Sequence, residues 1–176
     1  MSKTSRTRYA VLGALELGLA TGYEMRSFFA ESIGHFWSES YGQLYPVLKR
    51  LEAEGLATSQ QAGRRREYTI TDAGQAVLKD WLARPAELHT PRMEILLKLF
   101  FGRHLDRAAA LAHVERHEQE LRAAMTAYEG VDQQLQAMPA DHPDRTFWRL
   151  TLRYGQLGTE AGLAWCAEAR ALLETP

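Results

Sequence analysis

Cysteine is almost absent: Cys166 is the single one in 176 residues. One thiol makes neither an intrachain disulfide nor a cysteine-based zinc site, and such usage fits a reducing compartment. Charge of one sign is also lacking, since 21 Lys and Arg face 22 Asp and Glu. That excludes a uniformly basic nucleic-acid coat and an acidic solvating tail. The apolar run at 95–101 is interrupted by Lys98 and is too short to span a bilayer. Lys3, Arg6 and Arg8 ahead of residues 9–20 imitate a secretion signal, but Glu16 sits where a signal core is uncharged. A cytoplasmic protein is expected. Internal repeats and low-complexity tracts are missing, as are a nucleophile elbow, a P-loop and a dinucleotide fingerprint. Neither an enzyme nor a bound cofactor is expected.

Two features come near to other chemistry. His113 and His117 stand at i, i+4 beside Glu118, a spacing that can hold zinc on a helix. The Glu that a metalloprotease motif needs directly after the first His is missing. Surface histidines and no metal site are expected. Cys166, next to Trp165, reads as a small buried thiol. A metal- or redox-responsive regulator using His113, His117 or Cys166 stands as an alternative, as does a helical adaptor that binds protein instead of DNA.

What is present is organised in two halves. Residues 1–85 carry 11 Lys and Arg against 9 Asp and Glu, whereas residues 86–176 carry 10 against 13. Val11, Leu12, Leu15 and Leu19 predict a first helix over 8–19. Thr21-Gly22-Tyr23-Glu24 is a capping box for a second helix, with Phe28, Phe29 and Ile33 inward and Gly34 at its end. Ser40-Tyr41-Gly42-Gln43 has the same form. It opens a third helix over 41–54 with Leu44, Val47, Leu48 and Leu51 as its buried stripe and Gly55 as its stop. Pro46 should bend that helix or leave its first turn poorly bonded. Segments 56–61 and 67–70 flank a glycine turn and predict a hairpin, and Thr71 caps a fourth helix that stops at Pro85. Three helices, a hairpin and a helix are the order of a winged helix-turn-helix.

Beyond the linker at 85–91 the chain reads as wholly helical, with a short apolar helix at 92–101, a long one at 106–138 and a last one at 144–173. The expected fold is therefore mainly α: a winged helix-turn-helix with a two-stranded wing over 1–85, then an all-α dimerisation domain over 86–176. The long helix repeats Leu111, Val114, Leu121, Met125 and Tyr128 at three- and four-residue steps, a seam suited to a partner helix. Gly158 and Gly162 in the last helix, beside Leu157, suggest close approach of that partner, because each helical glycine costs about 1 kcal/mol against Ala.

Several motifs carry a family resemblance. Gly22-Tyr23-Glu24, Phe36-Trp37, Gly42-Gln43-Leu44-Tyr45-Pro46, Leu51-Glu52, Glu54-Gly55-Leu56, the arginine-rich turn, Tyr68 and Thr71-x-Ala73-Gly74 resemble the PadR family of bacterial transcriptional regulators. The stretch at 42–46 is the most specific. Leu97-Lys98-Leu99-Phe100-Phe101-Gly102 and Leu152-Arg153-Tyr154-Gly155, with Trp165, resemble the helical tail of its longer-tailed group, a virulence-activator-alpha-like domain. The resemblance implies a homodimeric winged-helix repressor, held together by its C-terminal helices and released, as in many members, by a small aromatic or lipophilic effector; a two-fold dimer demands a palindromic operator.

The residues themselves support a DNA interface. With Leu44, Val47, Leu48 and Leu51 buried, the opposite helix face holds Gly42, Pro46 and Lys49, flanked by Gln43, Tyr45 and Arg50. In a helix-turn-helix, the start of this helix meets base edges. Gln43 suits adenine, and Lys49 and Arg50 suit guanine or phosphate. Gly42 admits close approach, and Tyr41 and Tyr45 offer hydroxyls to phosphates. Arg64, Arg65 and Arg66 are expected at the wing tip, where an arginine can enter a narrow minor groove. Lys3, Arg6 and Arg8 would add phosphate contacts ahead of the first helix. For the effector, the resemblance directs attention to Phe100, Phe101, Phe147, Trp148, Tyr154 and Trp165.

Overall fold

A computed structural model describes residues 3–34, 41–87 and 92–175, with the backbone alone at 3–5 and 41. Seven helices and one hairpin follow in the order α1 (Lys3–Glu16), α2 (Gly22–Ser32), α3 (Leu44–Ala53), β1 (Ala57–Ala62), β2 (Arg65–Ile70), α4 (Asp72–Ala83), α5 (Glu94–Phe100), α6 (Arg107–Ala137) and α7 (Arg145–Glu174). The contacts divide the chain into two compact units, Met1–Leu88 and His89–Pro176. Among the described residues, no helix is long and apolar enough to cross a membrane.

In the first unit, Val11, Leu12, Met25, Leu44, Leu48 and Leu51 form the centre of one core, reached by Leu56, Tyr68 and Leu78 from the hairpin and α4. Helix α1 begins at Lys3, five residues before the expected start, because its first turns are held as well: Thr7 is buried and Arg8 pairs with Glu54. It also ends earlier, at Glu16. Gly18 turns the chain at φ +81, its N–H bonds Leu15 O and the N–H of Leu19 bonds Ala14 O, which is a Schellman stop. The capping box of α2 forms as both reciprocal bonds, with Glu24 N–H to Thr21 Oγ1 at 3.2 Å and Thr21 N–H to Glu24 Oε2 at 2.9 Å. Helix α2 closes at Ser32, ahead of Gly34.

The third helix corrects the expected start at Tyr41. Tyr41–Gln43 form a 3₁₀ turn and the α-helix begins at Leu44, so Gln43 is the cap residue and makes no side-chain cap bond. Ser40, its expected capping partner, lies outside the described residues, as do Phe36 and Trp37. The late start accommodates Pro46, which now falls in the first helical turn, where a backbone N–H has no intrahelical carbonyl to serve. At the other end, Gly55 at φ +71 gives a second Schellman stop, with Gly55 N–H to Glu52 O and Leu56 N–H to Leu51 O.

The hairpin runs from Ala57 opposite Ile70 to Ala62 opposite Arg65, and Gly63 (φ +60) and Arg64 form its turn. Its base is fixed on three sides. Tyr68 N–H bonds Ala20 O at 2.8 Å, Thr71 N–H bonds Leu56 O at 3.1 Å, and the Thr71 hydroxyl donates to Gly55 O at 2.8 Å while capping α4. Gly74 lets α4 press on this base: a Cβ there would stand 2.1 Å from Leu56 O.

In the second unit, α6 and α7 lie antiparallel. Arg145 Nε donates to Leu135 O, Gly155 meets the Tyr128 ring, Gly162 meets Leu121, and Arg170 pairs with Glu118. Tyr128, Leu135 and Leu152 centre this contact, with Trp148 and Met138 packed against it. Asp106 caps α6 by accepting from Ala109 N–H at 2.6 Å.

Candidate nucleic-acid interface

The start of α2, the exposed side of α3 and the hairpin enclose a groove of about 500 Å³. Thr21, Gly22 and Tyr23 line it from α2, Tyr45 and Lys49 from α3, and Arg64, Arg65, Arg66 and Tyr68 from the hairpin. Each side chain is there for a local reason. The buried stripe of α3 turns Tyr45 and Lys49 outward. Gly22 leaves room for the Tyr45 ring, whose Cε1 and Cζ would stand 3.0 Å from a Cβ at that position. The N-terminus of α2 opens into the same groove; the capping box pairs the Thr21 and Glu24 N–H groups, and those of Gly22 and Tyr23 are left without an intrahelical acceptor at the positive end of the helix dipole. Tyr23, 74% exposed, stands beside it.

The cations divide into two sets. No carboxylate among the described residues is in ion-pair range of Lys49, Arg64 or Arg65. Four others expected at the interface are engaged. Arg66 reaches Glu52 at 2.8 Å, Arg8 reaches Glu54 at 2.8 Å, Arg50 lies 3.7 Å from Glu54 and Arg6 lies 3.5 Å from Glu87. Glu52 is held below the ordinary carboxylate range, first by the Ser59 hydroxyl and then by the Arg66 guanidinium.

The structure therefore refines the sequence-derived placements. Gly42 and Gln43 are exposed at the entry to α3, in the 3₁₀ turn. Tyr41 is described by its backbone alone. Of the three arginines expected at the wing tip, Arg64 is in the turn and Arg65 and Arg66 belong to β2, because the ladder continues to the Ala62–Arg65 pair. The expected basic arm is not a separate arm: Arg6 and Arg8 lie within α1, and the Lys3 side chain is outside the described residues. The pattern of residue types missed Thr21, Gly22 and Tyr23 as groove residues. A capping box at the first helix of a helix-turn-helix was the available signal, since it marks where the helix N-terminus lies.

In the second unit, the seam residues expected to meet a partner chain are largely taken up within the chain. Val114 and Tyr128 are buried, and Leu121 packs over Gly162. The reversal at 139–143 lays α7 along α6 and satisfies that seam first. Leu111 and Met125 are half-buried, while Leu157 stays 50% exposed and Gly158 faces open space. The expected effector aromatics also separate. Phe100, Phe101, Phe147 and Tyr154 are 82%, 59%, 66% and 81% exposed. Trp148 packs on the α6–α7 core, and Trp165 meets His117 edge-on at 6.0 Å. His117 lies 3.8 Å from Glu120. Among the described residues, no group of three His, Cys, Asp or Glu is placed to hold a metal. Burial, and after it the charge of Glu118, pushes the Cys166 thiol up, which leaves it a poor thiolate.

Comparison with known proteins agrees with this geometry. The profile of the "Transcriptional regulator PadR-like family" matches residues 11–80, and that of "Virulence activator alpha C-term" matches 91–174. The chain is 36% identical over 136 residues to the negative transcriptional regulator PadR of Bacillus subtilis, covering 74% of this chain and 75% of that one. The crystal structure of Bacillus subtilis PadR with operator DNA superposes with a TM-score of 0.81 at 30% identity, over 96% of this chain and 99% of that one. Its complex with p-coumaric acid gives 0.79 at 31% identity, over 96% and 98%. The Vibrio cholerae virulence activator AphA gives 0.73 at 30% identity, over 94% and 96%. A winged helix-turn-helix with a basic groove beside its third helix, followed by a helical tail that matches the same regulators, places this chain in the PadR family of transcriptional regulators.

Proposed function

We propose that this regulator is a cytoplasmic homodimeric repressor that binds a palindromic operator. The supporting observation is the groove, in which Lys49, Arg64 and Arg65 have no carboxylate partner among the described residues and stand beside exposed Tyr23 and Tyr45. In this reading Gly42 and Gln43 lead α3 into the major groove, while Tyr45, Lys49 and the N-terminus of α2 hold the adjacent phosphates. Arg64 and Arg65 reach the flanking backbone or minor groove. Residues 1–85 carry this work, and residues 86–176 carry dimerisation and ligand response. A two-fold dimer requires an inverted-repeat site. Selection of bound duplexes from random DNA is expected to enrich two half-sites in inverted orientation. No enrichment even at low salt, where phosphate contacts are strongest, would contradict DNA binding and favour a protein-binding adaptor.

Dimerisation is supported by the outer face of α7, where Phe147, Leu150, Tyr154 and Leu157 are exposed at steps of three and four. A stripe of large apolar side chains on one helix face marks an interaction surface. The same exposed aromatics, together with Phe100 and Phe101 of the α5 region, support a ligand site completed on assembly. Because the Bacillus subtilis protein was crystallised with p-coumaric acid, phenolic acids are the first compounds to test. Binding is expected to quench tryptophan fluorescence and release the selected duplex. A panel that changes neither would leave these aromatics as interface alone.

A further inference from the structure

The hairpin carries three consecutive arginines, and the structure gives them different tasks. The register sets Ser59 opposite Tyr68 and Gln61 opposite Arg66. With a period of two along each strand, these four residues share one face of the ribbon, and Arg65 leaves from the other. On the shared face Arg66 closes a ring of bonds with α3. Its Nε donates to Ser59 Oγ at 2.7 Å, and its Nη2 donates to both Glu52 carboxylate oxygens at 2.8 and 3.0 Å. The Ser59 hydroxyl in turn donates to Glu52 Oε1 at 2.7 Å. The guanidinium also lies over the Tyr68 ring, 5.7 Å from its centroid. A guanidinium that gives Nη2 to a carboxylate and Nε to a neighbouring hydroxyl is already neutralised and geometrically committed.

The place of this ring in the hairpin matters. Backbone bonds fix the base, through Tyr68, Leu56 and Thr71. Among the described residues, the Glu52–Ser59–Arg66 ring makes the only side-chain hydrogen bonds between the strands and α3. It therefore sets the angle at which the outer hairpin, with Arg64 and Arg65, stands away from α3. Resting on the DNA-binding reading above, we propose that Arg66 is a positioning residue: it locks the wing to the recognition helix through Glu52 and Ser59, and the wing's phosphate-neutralising charge comes from Arg64 and Arg65.

The test compares operator affinity and its salt dependence on the duplex selected by the wild-type protein, with each variant confirmed as folded by circular dichroism. The pair Glu52→Gln with Arg66→Gln keeps the net charge and removes the ring. It is expected to weaken binding about tenfold, the cost of ordering a freed wing, with an unchanged slope of log K against log salt. Arg64→Ala or Arg65→Ala is expected to make the slope shallower by about 0.9 per wing. Arg66→Lys keeps the charge but lacks the second planar donor that reaches Ser59 while the first holds Glu52, and is expected to lose most of what the double variant loses. A slope made shallower by the double variant, or full affinity in Arg66→Lys, would overturn the proposal and make Arg66 a phosphate contact. A wild-type protein that selects no duplex would instead remove the DNA reading itself. The lock is then judged by hydrogen exchange alone. Amides of Gln60 and Glu67, a hydrogen-bonded pair of the ladder, should exchange faster in the double variant while that of Tyr68 stays protected, and unchanged exchange would exclude a lock.

Discussion

Glu118 joins the two long helices of the second unit. It accepts from Arg122 on its own helix at 2.6 Å and pairs with Arg170 of α7. The bond from Arg122 and then the charge of Arg170 hold its carboxyl below the ordinary range. A carboxyl lowered in the folded state adds stability that is complete above the unfolded value, about 4.3, and is lost as pH falls through the folded value. Acid should therefore destabilise the wild-type protein more than Glu118→Gln. The difference in melting temperature between pH 7 and pH 3.5 is expected to be smaller in the variant, and an equal difference would contradict this role. Glu52 follows the same sign, so its lock on Arg66 persists at pH 5 and above. At this scale the sequence was only partly legible. Three adjacent arginines read as one basic tip because residue type carries no information about which ribbon face each occupies. Pairing with Glu52, fourteen positions away, becomes visible only once the register is known.

The elements were more legible than their ends. The Thr21–Glu24 box, the α3 stripe and the Gly55 stop are local signals, and each forms as its spacing implies. The start of α3 was not legible, because a proline near a helix start is compatible with a bend or a delayed first turn. The delayed first turn is the one that forms, with a 3₁₀ turn at Tyr41–Gln43 ahead of the α-helix. Gly74 belongs to this scale as well. It stands in the first turn of α4, where the helix crosses the hairpin base, and a Cβ would meet a backbone oxygen that cannot swing aside. Gly74→Ala is expected to destabilise the protein by about 3 kcal/mol, at the upper end for overpacking. Denaturant unfolding that shows less than about 1 kcal/mol would mean that α4 shifts freely. By contrast Gly158→Ala meets nothing within 4 Å in the single chain. It is expected to leave that chain's fold intact.

At the scale of the whole molecule, the near-balance of charge conceals an uneven distribution, with a basic groove in the first unit and an acid excess in the second half of the sequence. The seam on α6 was legible as a helix-packing surface, but its partner was not. A heptad-like pattern is the same whether the facing helix comes from the same chain or another. The structure assigns most of it to α7 and leaves the other face of α7 exposed. Leu157→Glu, on that face, is expected to shift a light-scattering mass from dimer to monomer while circular dichroism keeps its helical signal. A variant that stays dimeric would move the interface elsewhere.

The proposed DNA-binding surface is the groove beside α3, and one measurement addresses it most directly. Binding of the selected duplex is followed across salt for the wild-type protein and for Lys49→Ala combined with Arg64→Ala and Arg65→Ala. The three lost cations should make the slope shallower by about 2.7 per protomer, at 0.9 for each, with a steep fall in affinity at low salt. An unchanged slope and affinity would place the DNA on another surface of the molecule.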